Sequence, residues 1–329
     1  MKLGILSSNF LSNDIDELKL SKLASNRMRL NVAKNAALRL GIEVEKLDFY
    51  NNSKTVDFLL IGKYVHMSGA NIFIDDDGTR IDKWMGCIEK NKNNKSKIIL
   101  DYTDHLLIAN DCRSEFYRKI IPYIDIAIVP SIIMKKNLKK SFNGEIRVIE
   151  EPLEENVIGV ANSSFDKIRA LWFGHSTNLI YLFEYLKKDV NINELVIVTS
   201  LMTEDEKNKI KKINNKITFE FYKWEEKFYS KNNLKCNICL IPSNVGDERK
   251  NGASNNRLIT AFALGLIPVA TKIGSYLEYS DYFIDINIFD KTDKKNLVEI
   301  SNKLKQNQEE IVNKYKYDEI VEKWMNLFV

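Results

Sequence analysis

Four cysteines in 329 residues are too few to build a disulfide framework for a chain of this size. Cys236 and Cys239 form a CxxC, but it lies in the apolar run CNICLIP. That run reads as a buried strand, where residues three apart point to opposite faces, a poor arrangement for shared metal or redox work. Histidine is scarcer still. His66, His105 and His175 are the only three, with no HExxH or HxxxH spacing, so no structural metal is expected. No GxxxxGK[ST] occurs, which argues against a P-loop NTPase. The first strand runs into SSNF rather than a glycine-rich turn, which argues against a dinucleotide-dependent dehydrogenase. No apolar run reaches the ~20 residues of a membrane span, and the opening MKLGILSSNF is too short and polar for a secretory leader. The expected location is therefore cytoplasmic, with peripheral attachment to an anionic membrane surface left open. Charge of one sign is also missing: 49 basic residues face 45 acidic ones, for a net +4. That balance gives no reason to expect nucleic acid as a partner.

What is present is an alternation of short apolar runs with helical stretches, the pattern of βαβ units around a parallel sheet. In the first half the strand candidates are residues 3–6, 44–49, 57–62, 97–101, 125–130 and 146–150. Between the first two, Met28, Val32, Ala36 and Leu40 recur at helical spacing, with Ser25 or Asn26 as cap and Gly41 as stop. Residues 150–167 lack periodicity, carry Pro and Gly, and read as a linker. A second series follows, at residues 169–174, 194–200, 217–222, 236–242 and 266–271. The charge run at 203–216 reads as an exposed helix, and the last twenty residues as an amphipathic helix with an aromatic end. The expected fold class is α/β. Two doubly wound Rossmann-like domains, residues 1–155 and 156–310, face each other across a cleft, and a terminal helix at 311–329 packs back on the first. Parallel sheets bind ligands beyond the carboxyl ends of their strands, so the residues just after each apolar run are the ones to inspect.

The most informative stretch is PSNVGDERKNGASNNRLITAFALGLIPVAT, residues 242–271: strand end, polar loop, helix, glycine turn, strand. Asn255 or Asn256 caps the helix on this reading, and its free N–H groups make an anion site. Lys250 and Arg257 flank that site and could neutralise phosphate oxygens, the arginine by a two-pronged fork. Gly252, Ala253 and Ser254 leave room for close approach. Trp224, after a strand, could stack on a nucleobase or fill the core.

Lys250, Asn256 and Arg257 followed by AFALGLIPVAT resemble the nucleotide-sugar-binding segment of GT-B-fold glycosyltransferases, particularly the family 4-like group. WFGHSTN (172–178) is similar to the first strand and loop of the same domain, which implies that Gly174 lets the backbone approach the donor beside His175, Ser176 and Asn178. Pro242 and Ser243 resemble the PS that opens the donor loop, and Glu278 falls where those enzymes hold a late acidic residue. Many members also carry two glutamates eight positions apart. Those places hold Gly252 and Thr260 here, and neither supplies a carboxylate.

On the acceptor side, Asn9 lies in the loop after the first strand, and SNRMRL (25–30) resembles the arginine-containing start of the first long helix in these transferases. Arg27 and Arg29 at a helix N-terminus are unfavourable unless an anion is near. Asp101, Asp104 and His105, in ILDYTDH, follow a strand end and are the acid/base candidates, with helix capping as the plain alternative. Lys63 follows a strand as well, in GKYVHMSG, and His66 ranks below His105. The resemblance implies sugar transfer from a UDP- or GDP-linked donor to a hydroxyl of a saccharide or lipid-linked saccharide, in bacterial surface polysaccharide synthesis, with neither metal nor prosthetic group. Two alternatives stay open: a nucleotide-sugar epimerase or hydrolase on the same fold, and a transferase-like binding subunit without chemistry.

Overall fold

The computed structural model describes every residue except 8–14, 22, 48–53, 65, 69–70, 74–78, 156, 162–163, 201, 226 and 233. Asn9 lies outside the described residues. The chain divides into two units. The first comprises Met1–Pro152, Glu248–Ser254 and Tyr317–Val329, and the second comprises Leu153–Asp247 and Asn255–Lys316.

The first unit is a six-stranded, wholly parallel sheet in the order β2-β1-β3-β6-β7-β8. Its strands are β1 (Lys2–Leu6), β2 (Glu43–Lys46), β3 (Phe58–Ile61), β6 (Lys97–Asp101), β7 (Ile126–Val129) and β8 (Glu145–Val148). A small antiparallel hairpin, β4 (His66–Ser68) with β5 (Asn71–Phe73), stands apart from it. Strands β3 and β7 are apolar at every position, as burial on both faces requires, and FLLI and IAIV are buried nearly throughout. Helix α1 (Asn31–Arg39) covers one face with Val32, Ala33, Ala36 and Ala37. The helix Tyr317–Phe328 adds Ile320, Val321, Trp324 and Phe328 to the same apolar cluster, with Phe328 edge-on to Phe58 at 5.4 Å. The turn before α1, Asn26–Leu30, is π-helical, and Ser25 makes no side-chain capping bond there. A π-turn rotates the following side chains relative to a regular helix, a distortion that recurs at functional and strained positions.

In the second unit β9 (Arg169–Phe173), β10 (Glu194–Thr199), β11 (Thr218–Lys223), β12 (Ile238–Ile241), β13 (Ile267–Ala270) and β14 (Ile284–Asp285) run parallel in the order β11-β10-β9-β12-β13-β14. The order reverses between β9 and β12, so the crevice beyond their carboxyl ends is where a doubly wound sheet takes a ligand. Helix α2 (Asn256–Ala263) follows β12 in the chain and buries Leu258, Ile259, Ala261 and Phe262 against the sheet. The charge run forms the helix Glu204–Ile213, opened by a capping box between Thr203 and Glu206 and burying only Ile210. Both CxxC thiols are buried, and burial pushes each up to about 12, so neither is a thiolate at neutral pH. Among the described residues, no helix is long and apolar enough to cross a membrane.

Candidate functional site

In the second unit, Gly174 ends β9 with φ of +156°, and a Cβ built there would sit 3.7 Å from the Arg257 guanidinium and from Trp172. Arg257, in the first turn of α2, lies over the ring of Trp172 at 5.5 Å and over that of Phe173 at 5.6 Å. Aromatic faces hold the guanidinium flat but accept none of its in-plane hydrogens. Its Nε and Nη2 are buried and have no hydrogen-bond partner among the described residues. Buried, unsatisfied donors on a cation are expensive, and such a group calls for an anion.

The neighbours are polar in the same crevice. His175 accepts a bond at Nδ1 from the backbone N–H of Thr177, in the short 3-10 turn Ser176–Asn178. After β12, Ser243 donates its N–H to Thr271 Oγ1 at 2.9 Å. Thr199, at the end of β10, is buried, and its hydroxyl has no partner among the described residues, while its carbonyl takes the N–H of half-buried Trp224 at 2.9 Å. Asn255 occupies the N-cap position of α2 but makes no side-chain capping bond, because its Nδ2 is turned to the Tyr315 hydroxyl. The expected asparagine cap is therefore replaced by a tie to the interior. Asn256 is the first residue of α2, and Glu278 is exposed on the segment after β13.

The first unit holds a second constellation. Arg29 is 0% exposed and Asp101 is 1%. Arg29 Nε donates to Asp101 Oδ1 at 2.7 Å, and Nη1 donates to the Ile149 carbonyl at 2.6 Å. The guanidinium also lies over Trp324 at 5.6 Å. Burial pushes the Asp101 carboxyl up, and the Arg29 charge offsets this only in part. Glu151, buried beside them, is pushed up by burial as well, against the pull of Arg29 and a hydrogen bond from Ser254. The π-helical turn carries Arg29 inward to this pair, so Arg29 and Asp101 are consumed by each other and act as scaffold. Arg27 donates to the Ser21 carbonyl at 2.5 Å.

Asp104 is different. Burial raises its carboxyl, but an ion pair with Lys63, together with Lys250 and Arg113, outweighs this and holds it below the ordinary range. A carboxylate so stabilised is a weak base and a good anchor. His105 is buried; its Nδ1 is 3.0 Å from the Tyr102 hydroxyl, which also accepts the N–H of Leu107. The direction of that bond sets the tautomer of the imidazole: Nδ1–H given to the hydroxyl leaves Nε2 free to take a proton, and the reverse leaves Nε2–H as a donor. Burial, then Lys140, lower its proton affinity, against a smaller pull from Glu248. Because the folded-state value lies below the unfolded one, stability is present above pH ~6.5 and is lost as pH falls through the folded value. Urea unfolding at pH ~5 and ~7.5 should show that loss shrink in His105→Gln.

Residues 248–254 belong to this first unit: His105 donates its N–H to the Arg249 carbonyl, and Ser131 Oγ donates to the Gly252 carbonyl at 2.7 Å. Lys250 thus acts on Asp104, where sequence reasoning grouped it with Arg257. A Cβ at Gly252 would lie 2.8 Å from Met134 N and 2.9 Å from its Cα, so no side chain fits without moving backbone. Gly252→Ala should cost about 1–3 kcal/mol in urea unfolding, and Gly252→Glu more. Glu151 was missed in the sequence because it stands in an aperiodic stretch. Tyr279 and Tyr315 were missed because each reads as core. Among the described residues, no group of three or more His, Cys, Asp or Glu side chains is arranged to hold a metal ion.

Comparison with solved structures follows the two sheets. Sucrose-phosphate synthase from Thermosynechococcus elongatus matches with a TM-score of 0.63 at 10% identity, over 99% of this chain and 98% of its own. AviGT4, a glycosyltransferase of avilamycin A biosynthesis, matches with 0.54 at 10% identity, over 99% and 96%. The fold is GT-B. A mutant of S. aureus TarM, in complex with fondaparinux, α-GlcNAc-glycerol and UDP, matches this GT-B chain with 0.51 at 13% identity, over 92% of it and 59% of TarM. No family model matches the sequence, and neither does any curated protein.

Proposed function

We propose that the protein is a glycosyltransferase that moves a sugar from a nucleoside-diphosphate donor to a hydroxyl of a saccharide or lipid-linked saccharide. The observation that carries this reading is Arg257, a half-buried arginine with two buried, unanswered donors at the sheet's switch point. A diphosphate answers it: the guanidinium takes phosphate oxygens, the first turn of α2 adds N–H groups, and Gly174 allows close approach. As sugar leaves, negative charge grows on the diphosphate, so these groups bind the transition state more tightly than the ground state. UDP in the TarM complex supports a nucleotide donor, and UDP or GDP would suit Arg257 equally. Trp224 and Thr199 are the base-side candidates. Glu278, His175, Ser176 and Ser243 are the remaining donor-side residues. Asp104 with Lys63, and neutral His105, are the acceptor-side candidates, with imidazole Nε2 as proton acceptor in the tautomer that gives Nδ1–H to Tyr102. Surface polysaccharide assembly, in the cytoplasm or at the inner face of a membrane, is the setting this chemistry fits.

One observation favours a second reading. Gly252 leaves no space for a side chain where related transferases carry a glutamate, and this suits a binding subunit without turnover. Incubation with UDP- and GDP-sugars separates the readings. Acceptor-dependent release of nucleotide supports transfer, release without acceptor supports a hydrolase or epimerase, and binding without release supports the subunit.

A further inference from the structure

We propose that Tyr315 is a positioning residue for the donor site, joining the start of α2 to Glu278 through a relay of hydroxyls. The inference rests on the donor-site reading above. Asn255, Tyr279 and Tyr315 are all buried. Asn255 Nδ2 lies 2.8 Å from the Tyr315 hydroxyl, and that hydroxyl lies 2.8 Å from the Tyr279 hydroxyl. Burial, then the Tyr315 hydroxyl and the neighbouring Glu278 carboxylate, push the Tyr279 phenol well above its usual range.

The donors and acceptors fix the direction. An amide N–H can only give, and a carboxylate can only accept, so each hydroxyl between them accepts once and donates once. On the proposed relay Asn255 gives to Tyr315, Tyr315 to Tyr279, and Tyr279 to the neighbouring Glu278 carboxylate. Such a chain strengthens each of its bonds, and a break anywhere leaves a buried group unsatisfied. Its two ends are informative. Asn255 gives up capping to enter the relay, and its carbonyl accepts the N–H of Ile259 at 3.1 Å, in the turn that carries Arg257. Glu278 is the exposed end, free to meet solvent or ligand. The backbone of Tyr315 is itself tied, since its carbonyl accepts the N–H of Leu153 at 2.9 Å. The pose of Arg257 and that of Glu278 are thus set together, by one buried ring whose position is fixed independently.

Tyr315→Phe keeps the ring and its volume but cuts the relay. The test is calorimetric titration with UDP or GDP, whichever the parent chain binds, alongside thermal unfolding without nucleotide. The dissociation constant should rise about 3–10-fold in Tyr315→Phe and in Asn255→Ala. The double variant should be no weaker than the worse single one, because both break the same bond. Unchanged nucleotide affinity with a lowered melting temperature would make Tyr315 merely structural and overturn the proposal, as would full additivity of the two substitutions. If Tyr315→Phe fails to fold, Tyr279→Phe, which cuts the next link, is held to the same 3–10-fold rise. Failure of the parent chain to bind either nucleotide would overturn the donor-site reading and this inference with it. Weakened binding in Arg257→Ala but not in Tyr315→Phe would overturn this inference alone.

Discussion

Arg257→Ala should raise the dissociation constant for UDP or GDP about 10–100-fold, as expected for losing charge-assisted hydrogen bonds to a diphosphate. The same substitution should leave the nucleotide-free protein as stable as the parent, or more so. Two opposing terms decide this. In the absence of an anion, Arg257 keeps Nε and Nη2 buried and unanswered, which costs free energy that stacking on Trp172 and Phe173 returns only in part. Removing the side chain removes the cost. With nucleotide present the sign reverses, since ligand stabilises the parent by mass action and the variant hardly at all. Thermal unfolding of both proteins, with and without nucleotide, reads the crossing directly. Arg257→Lys should recover little of the affinity, because a point charge cannot reproduce the fork.

Arg29→Ala should destabilise the protein by about 3–5 kcal/mol, the usual loss when one partner of a buried pair is removed. That is a large share of the ~5–15 kcal/mol that holds a domain folded. The loss has three parts here: an empty volume under Trp324, an unpaired Ile149 carbonyl, and two buried carboxyls, Asp101 and Glu151, left without their cation. Carboxyls raised in the folded state take up protons more readily there than in the unfolded chain. Stability therefore falls as pH rises from the unfolded toward the folded value. Urea unfolding should accordingly show a smaller deficit at pH ~5 than at pH ~8. Adding Asp101→Leu to Arg29→Met should restore part of the stability, since an apolar pair spares both desolvation penalties.

The sheets were readable because both faces of each are covered. Strands such as FLLI and ICLI are then apolar without interruption, and turn residues bound them sharply. The β4–β5 hairpin and two-residue β14 were not, because three or fewer residues carry no periodic signal. Arg257 was visible in the sequence as a cation beside a helix start, and the structure adds what a sequence cannot hold, its missing partners. Arg29 looked like a cation awaiting an anion, and it has one, but inside the protein: Asp101, seventy-two residues away. Lys250 shows the same limit. Its neighbours in sequence suggested a phosphate ligand, yet residues 248–254 belong to the first unit, and Lys250 acts on Asp104. Which group answers a charge is a property of tertiary structure. That a charge needs an answer is a property of the residue.

The most direct measurement is a crystal structure of the protein grown with UDP or GDP. The diphosphate should lie against Gly174 and the first turn of α2, with its oxygens about 2.7–2.9 Å from Arg257 Nε and Nη2. Nucleotide bound elsewhere, or an Arg257 whose two donors are turned onto a protein carbonyl or carboxylate, would contradict the account.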